Sequence, residues 1–219
     1  MPRTARVVIP DVPHHITHRG NHGEDVFFSD GDRLLYLDLM RDFSREHGLE
    51  IHSYALMTNH VHLVATPRTL TSIATTLKRV HLKLTQHVSK RRGRTGVTWQ
   101  GRPYSCPLDE THFWFAVRYV ERNPVRAGMV VRAEDYPWSS AAAHCGRRRD
   151  ALLTGELEKS GFCEDWSAWL AQVDEEEKAK TLRRCTRSGF PFGCEEFVAR
   201  IEKLCGRILR PRHPGPTKR

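Results

Sequence analysis

The sequence predicts an α+β protein: an antiparallel sheet with helices packed on one face, on the ferredoxin-like or RRM-like plan, plus a small helical C-terminal extension. Three observations carry this expectation. Runs of branched residues alternate with amphipathic runs in the order strand, helix, strand, strand, helix, strand, helix up to Pro124. The polar pair Thr58-Asn59 separates two strand-like runs, which reads as a hairpin. Beyond Gly146 the pattern changes to a polar run followed by helical segments.

"HHITHRG" (14–20) is a strand built on Ile16 and Thr17 and closed by Gly20. "SDGDRLLYLDLMRDFSREHG" is an amphipathic helix, with Ser29 or Asp32 as its cap and Gly48 at its end. Leu35, Leu39 and Phe43 form its predicted buried row. "LEIHSYALM" (49–57) and "HVHLVAT" (60–66) are the two arms of the hairpin. A second helix spans about 69–90, with Leu70, Ile73, Leu77, Val80, Leu84 and Val88 as its buried stripe. "GRPYSCPLD" is a strand, and "ETHFWFAVRYVERNPV" a helix that Pro124 ends or kinks. "CGRRRD" reads as a linker, followed by helices on either side of "SGFPFG" and a basic, proline-rich tail. The expected division is a domain over 1–145, a helical extension over 146–210 and a disordered tail over 211–219.

A net charge of +9 and a pI near 9.5 point to a polyanionic partner, nucleic acid before membrane. The basic excess gathers at Lys78, Arg79, Lys83, Arg91, Arg92 and Arg94, on the second helix and its exit. Arg19, near the first strand, and Arg118 and Arg122, in a four-spaced row of the third helix, join them as candidate DNA contacts. Trp99 and Tyr104 are candidates for stacking on unpaired bases, with packing an equal alternative. The start "MPRTARVVIPDVP" has no long apolar core, and the six cysteines form no Cys-x-x-Cys pair. A cytoplasmic protein with free thiols, associated with the bacterial nucleoid through DNA, is the expectation.

His60 and His62, two apart in a strand, share one face. With 13 histidines in the chain, a His-x-His pair arises about once by chance, so the spacing decides nothing alone. A second element comes from the third helix, where Tyr119 and Asn123 lie four apart on one face. The two-histidine phosphoesterase pattern is disfavoured because it needs both histidines on strands facing one cleft and His87 falls in a helix. A histidine-triad hydrolase is excluded because position 64 is valine. The remaining histidines, among them His14, His18 and His22, are expected at the surface or facing DNA.

"HITHRGN", "YALMTNHVHLV", "WQGRPYSCPLDE" and "RYVERNPVRAGMV" with "YPWSS" resemble, in order and spacing, the REP-associated tyrosine transposases. These are IS200-like, single-tyrosine members of the HUH superfamily, where U is a bulky hydrophobe. The resemblance covers about 12–145, and "SGFPFGCEEFVARIEKLCGRILRPR" is similar to the C-terminal extension of many bacterial members. It implies that His60 and His62 bind a divalent metal, Mg²⁺ or Mn²⁺, with Val61 between them and Asn123 as third ligand. It implies Tyr119 as the nucleophile that cuts single-stranded or hairpin DNA, leaving a 5′-phosphotyrosine and a free 3′-hydroxyl. The ester conserves bond energy, so rejoining needs no nucleotide cofactor. The rival expectations are a non-catalytic single-strand or hairpin binder and a duplex binder resting on the C-terminal helices. All the chemistry precedes residue 146, so a chain ended there is expected to fold and cleave.

Overall fold

A computed structural model describes residues 7–93, 96, 98–155, 157 and 160–210. Arg94 and the tail over 211–219 lie outside the described residues. The sheet has four antiparallel strands, β1 (His14–Arg19), β2 (Leu49–Leu56), β3 (His60–Pro67) and β4 (Tyr104–Pro107), in the order β2-β3-β1-β4. Helix α1 (Asp30–Glu46) links β1 to β2, and α2 (Ser72–Arg92) links β3 to β4. This is the ferredoxin-like order that the sequence predicted, with the 57–59 turn closing the hairpin.

Side-chain alternation divides the sheet's residues between two cores. Ile16, Ile51, Val61, Leu63 and Ala65 face α1 and α2, meeting Tyr36, Met40, Ile73, Leu77, Val80 and Leu84. The α1 stripe lies one residue on from the expected row: Asp32, Tyr36, Met40 and Ser44 are its buried positions, while Leu35, Leu39 and Phe43 are only partly buried. The cause is polar. Asp32 closes a capping box with Ser29 and is held by Arg91 at 2.7 Å, so a carboxylate sits where apolar counting placed none. Leu70 also departs from expectation, being 67% exposed ahead of the first turn of α2.

The third helix, α3 (Glu110–Glu121), crosses to the opposite face and packs on Ala55, Val64 and Cys106. Asp109 caps it by accepting from the His112 N–H at 2.8 Å. A short helix α4 (Asn123–Arg126) follows, and α5 (Ala141–His144) comes after it. The "CGRRRD" stretch, expected to be a linker, is pinned down instead. Arg147 pairs with Glu134 and Asp135, while the Tyr54 hydroxyl donates to Asp150 at 2.5 Å.

Helices α6 (Trp166–Ala171), α7 (Glu176–Ser188) and α8 (Glu195–Cys205) complete the described chain. Trp166, Leu170, Leu182 and Phe192 belong to the same core as Phe113, Val117 and Val120 of α3. Phe197 and Ile201 of α8 pack with Val7. One continuous core therefore crosses the boundary expected near residue 146. Buried Glu121 ties the parts together, accepting from Ser140 (2.5 Å), His144 (2.5 Å) and the Trp166 indole (2.8 Å). Among the described residues no helix is long and apolar enough to cross a membrane.

Candidate active site

The sheet register places functional side chains on the face away from α1 and α2. Arg19 pairs across from His60, Thr17 from His62 and Tyr104, and His15 from Val64 and Cys106. Gly20 sets the end of β1: a Cβ there would lie 2.0 Å from the Glu24 carbonyl oxygen, so no larger residue fits this approach. Helix α3 brings Tyr119 to the same face in its last turn. Pro124 has no N–H to continue the ladder, and the chain turns into α4, beginning at Asn123. The Asn123 amide donates to the Tyr119 and Val120 carbonyls, at 3.2 Å each.

His60, His62, Tyr119, Asn123 and Arg19 thus line one cavity of about 470 Å³. A larger groove of about 700 Å³ at the β2 edge has no histidine or tyrosine in its lining. Rings in the site crowd together, with Tyr119 edge-on to His15 and His62 at 5.7 and 5.9 Å between centroids. Arg126 lies over the Tyr119 ring at 3.9 Å and donates to the Tyr119 carbonyl (2.7 Å) and the Asn123 Oδ1 (3.0 Å). Arg183, from α7, is within hydrogen-bonding reach of the Tyr119 side chain.

The imidazoles are held neutral. Burial, then the Arg19 charge, lowers His60 to about 4. Burial, then Arg126, lowers His15 to about 3. Burial first, then His60, His15 and Arg126, push His62 well below its ordinary value. Asn59 donates its Nδ2 to the Gly23 carbonyl at 2.9 Å, so its Oδ1 accepts the His60 Nδ1–H at 2.6 Å. His60 therefore carries its lone pair on Nε2. Two neutral imidazoles two apart on a strand suit a divalent transition metal. Among the described residues no group of three His, Cys, Asp or Glu is placed to hold one, and the Asn123 amide is among the other oxygen donors that line the cavity.

The family profile described as "Transposase IS200 like" matches residues 10–123, more than half of the chain. The chain belongs to this family. The protein is a tyrosine transposase. A solved structure of a REP-associated tyrosine transposase bound to a REP hairpin shares the fold, with a TM-score of 0.57 and 17% identity over 67% of this chain and 87% of that one. A crystal structure of a candidate transposase from Deinococcus radiodurans matches at 18% identity and a TM-score of 0.35, over 55% of this chain and 97% of that one. No match is found among the curated proteins.

Other expected DNA contacts of the transposase are dispersed. Lys78, Arg79 and Lys83 are exposed on α2, across the sheet from the cavity. Arg92 lies over the Phe28 ring at 3.8 Å, and Arg91 bonds Ser29 and Asp32, fastening α2 to the start of α1. Arg118 donates to the carbonyls of Trp169, Gln172 and Val173, and Arg122 to Leu170 and Asp174. These bonds give Arg118 and Arg122 a structural role that the sequence did not predict. The C-terminal carbonyls that claim them are invisible to helical periodicity.

His14 and His18 also differ from expectation, since both are buried. His18 meets His81 at 2.9 Å, and Trp99 stacks on His81 at 3.9 Å, so the indole packs within the protein. Tyr104, in the cavity lining, is 42% exposed. His15, Arg126, Arg183 and Thr186 are site residues that the sequence reading did not assign. The strand alternation that pairs His60 with His62 also pairs His15 with Thr17, a usable signal once β1 is set beside β3. Nothing in the α7 sequence marks Arg183 or Thr186.

The buried histidines are expected to make the fold acid-sensitive. His81 lies well below its ordinary value because of burial and then His18. Below pH ~6.5 the unfolded chain takes up protons at His15, His62 and His81 that the native state refuses, so stability falls with pH. Each site contributes a slope of about 1.4 kcal/mol per pH unit below that value. Urea unfolding between pH 7 and 5 is expected to show this loss, and His81→Gln to flatten it. An unchanged slope would place the acid sensitivity elsewhere.

Proposed function

We propose that this transposase is a divalent-metal-dependent endonuclease and strand transferase for single-stranded DNA, with Tyr119 as nucleophile and hairpin or palindromic repeats as targets. The observation that carries the reading is the meeting of His60, His62, Tyr119 and Asn123 around one cavity. The hairpin target is supported by the relative of like fold that was solved on a REP hairpin. The net charge of +9 suits a DNA partner.

The Tyr119 oxygen attacks phosphorus; the P–O3′ bond breaks, and the departing 3′-oxygen is protonated. The tyrosine proton is lost in the same exchange, leaving a 5′-phosphotyrosine. Arg126 and Arg183 flank the tyrosine, and their positive charge offsets the negative charge of the reacting phosphate. Arg19, at the end of β1, offers the phosphate a guanidinium in the same cavity. His60 and His62 would hold Mg²⁺ or Mn²⁺ with Asn123, whose Oδ1 would exchange Arg126 for the ion. When bound, the metal supplies charge neutralisation at the phosphate and fixes its orientation. A 3′-hydroxyl attacking the phosphotyrosine reverses the step and transfers the strand.

His60→Ala and His62→Ala each remove an imidazole donor. Metal-dependent cleavage of a hairpin-bearing oligonucleotide is expected to fall at least ~10-fold, with strand binding largely kept. Equal loss of binding and cleavage in folded variants would favour a binding role over catalysis.

A further inference from the structure

Helix α7 does more than cover the sheet. Thr186, in its last turn, lies 2.7 Å from His15 Nδ1, and His15 Nε2 lies 3.1 Å from His62 Nδ1. All three side chains are buried, and the contacts between them are direct. The Thr186 hydroxyl also reaches the Leu182 carbonyl, one turn back, at 2.8 Å, and a carbonyl can only accept. With its hydrogen on Leu182, Thr186 is left with lone pairs, and His15 Nδ1 donates to one of them. Cys106 Sγ, 3.3 Å from the same oxygen, can donate to the other. His15 Nε2 is then bare and accepts the hydrogen of His62 Nδ1. That leaves the His62 lone pair on Nε2, the same form that Asn59 imposes on His60.

We propose that Thr186 and His15 are positioning residues for the metal site, a relay from the C-terminal segment that fixes the tautomer and ring orientation of His62. The inference deepens the proposed function and rests on its assignment of His62 as a metal ligand. A histidine whose second nitrogen is oriented in this way is a better and more specific ligand, and loss of such a partner typically weakens metal binding 10–100-fold. The opposite direction of the relay, with Thr186 donating to His15, would put a hydrogen on His62 Nε2 and block coordination. The relay therefore makes the segment over 176–188, which carries none of the expected ligands, a determinant of metal affinity.

Two measurements on the full chain test this. Long-range ¹H–¹⁵N correlation spectra of the metal-free protein report which nitrogen of His62 is protonated; Nδ1–H is expected. Mn²⁺ titration followed by electron paramagnetic resonance then compares Thr186→Ser, which keeps the hydroxyl, with Thr186→Val, which removes it at similar volume. Thr186→Ser is expected to bind as the unaltered chain does, and Thr186→Val at least ~10-fold more weakly, with a mixed His62 tautomer. An Nε2–H form in the unaltered chain, or Thr186→Val binding Mn²⁺ as tightly, overturns the relay. Should His62→Ala bind Mn²⁺ undiminished, the metal assignment itself fails, whatever the spectra of Thr186 variants show.

Discussion

Tyr119→Phe is expected to abolish cleavage and the covalent protein–DNA adduct while the fold and single-strand binding survive. The ring is 5% exposed and packs against His15, His62 and Arg126 through its faces and edge, contacts that phenylalanine keeps. The substitution deletes one hydroxyl at the cavity wall. Were that oxygen only a structural hydrogen-bond partner, the loss would be about 0.5–1.5 kcal/mol of stability, and cleavage would persist. As the nucleophile it has no substitute, because no phosphoester can form on a benzene ring. Tyr104 is the demanding control, since it lines the same cavity and is 42% exposed. Tyr136 is the remote one, its hydroxyl donating to the Leu56 carbonyl at 2.7 Å. Denaturing gels with end-labelled single strands read the result; an adduct that survives in Tyr119→Phe, or maps to Tyr104, would sink the assignment.

The contrast between Tyr119 and Thr186 shows which parts of this site a sequence can display. His60, His62, Tyr119 and Asn123 lie within periodic elements, so spacings of two and four already assign them to faces. The strand order followed from the hairpin and the alternation of helices, which leave few ways to close the sheet. Tertiary partners carry no such period. Arg118 and Arg122 look like any basic helical row until Trp169, Gln172 and Leu170 supply carbonyls. The "CGRRRD" run looks like a solvated linker until Glu134 and Tyr54 are found beside it. Thr186 reaches the site across 171 positions of sequence from His15, a contact that only the packing of α7 on β4 creates.

That packing leads to the second large effect: a chain ended at residue 146 is expected to fail to fold, against the simpler expectation from where the catalytic residues lie. Ending there strips the outer face of α3 and β4. Phe113, Phe115, Val117, Cys106 and Leu108, all buried, lose Trp166, Leu170, Leu182 and Phe192 as neighbours. Re-exposing a large apolar side chain costs about 1.5–3 kcal/mol, so a few of them rival the whole stability of a typical domain, about 5–15 kcal/mol. Polar losses add to this. Arg118 and Arg122 lose the carbonyls that satisfy their guanidinium groups, and Glu121 loses the Trp166 indole. The truncated chain is expected to be insoluble, or to bind a hydrophobic dye and unfold without a cooperative transition. A soluble fragment with a sharp melting transition would show that α3 and β4 hold their place without the C-terminal helices. Such a fragment, lacking Arg183 and Thr186, would then measure by its residual cleavage how much of the chemistry α7 supplies.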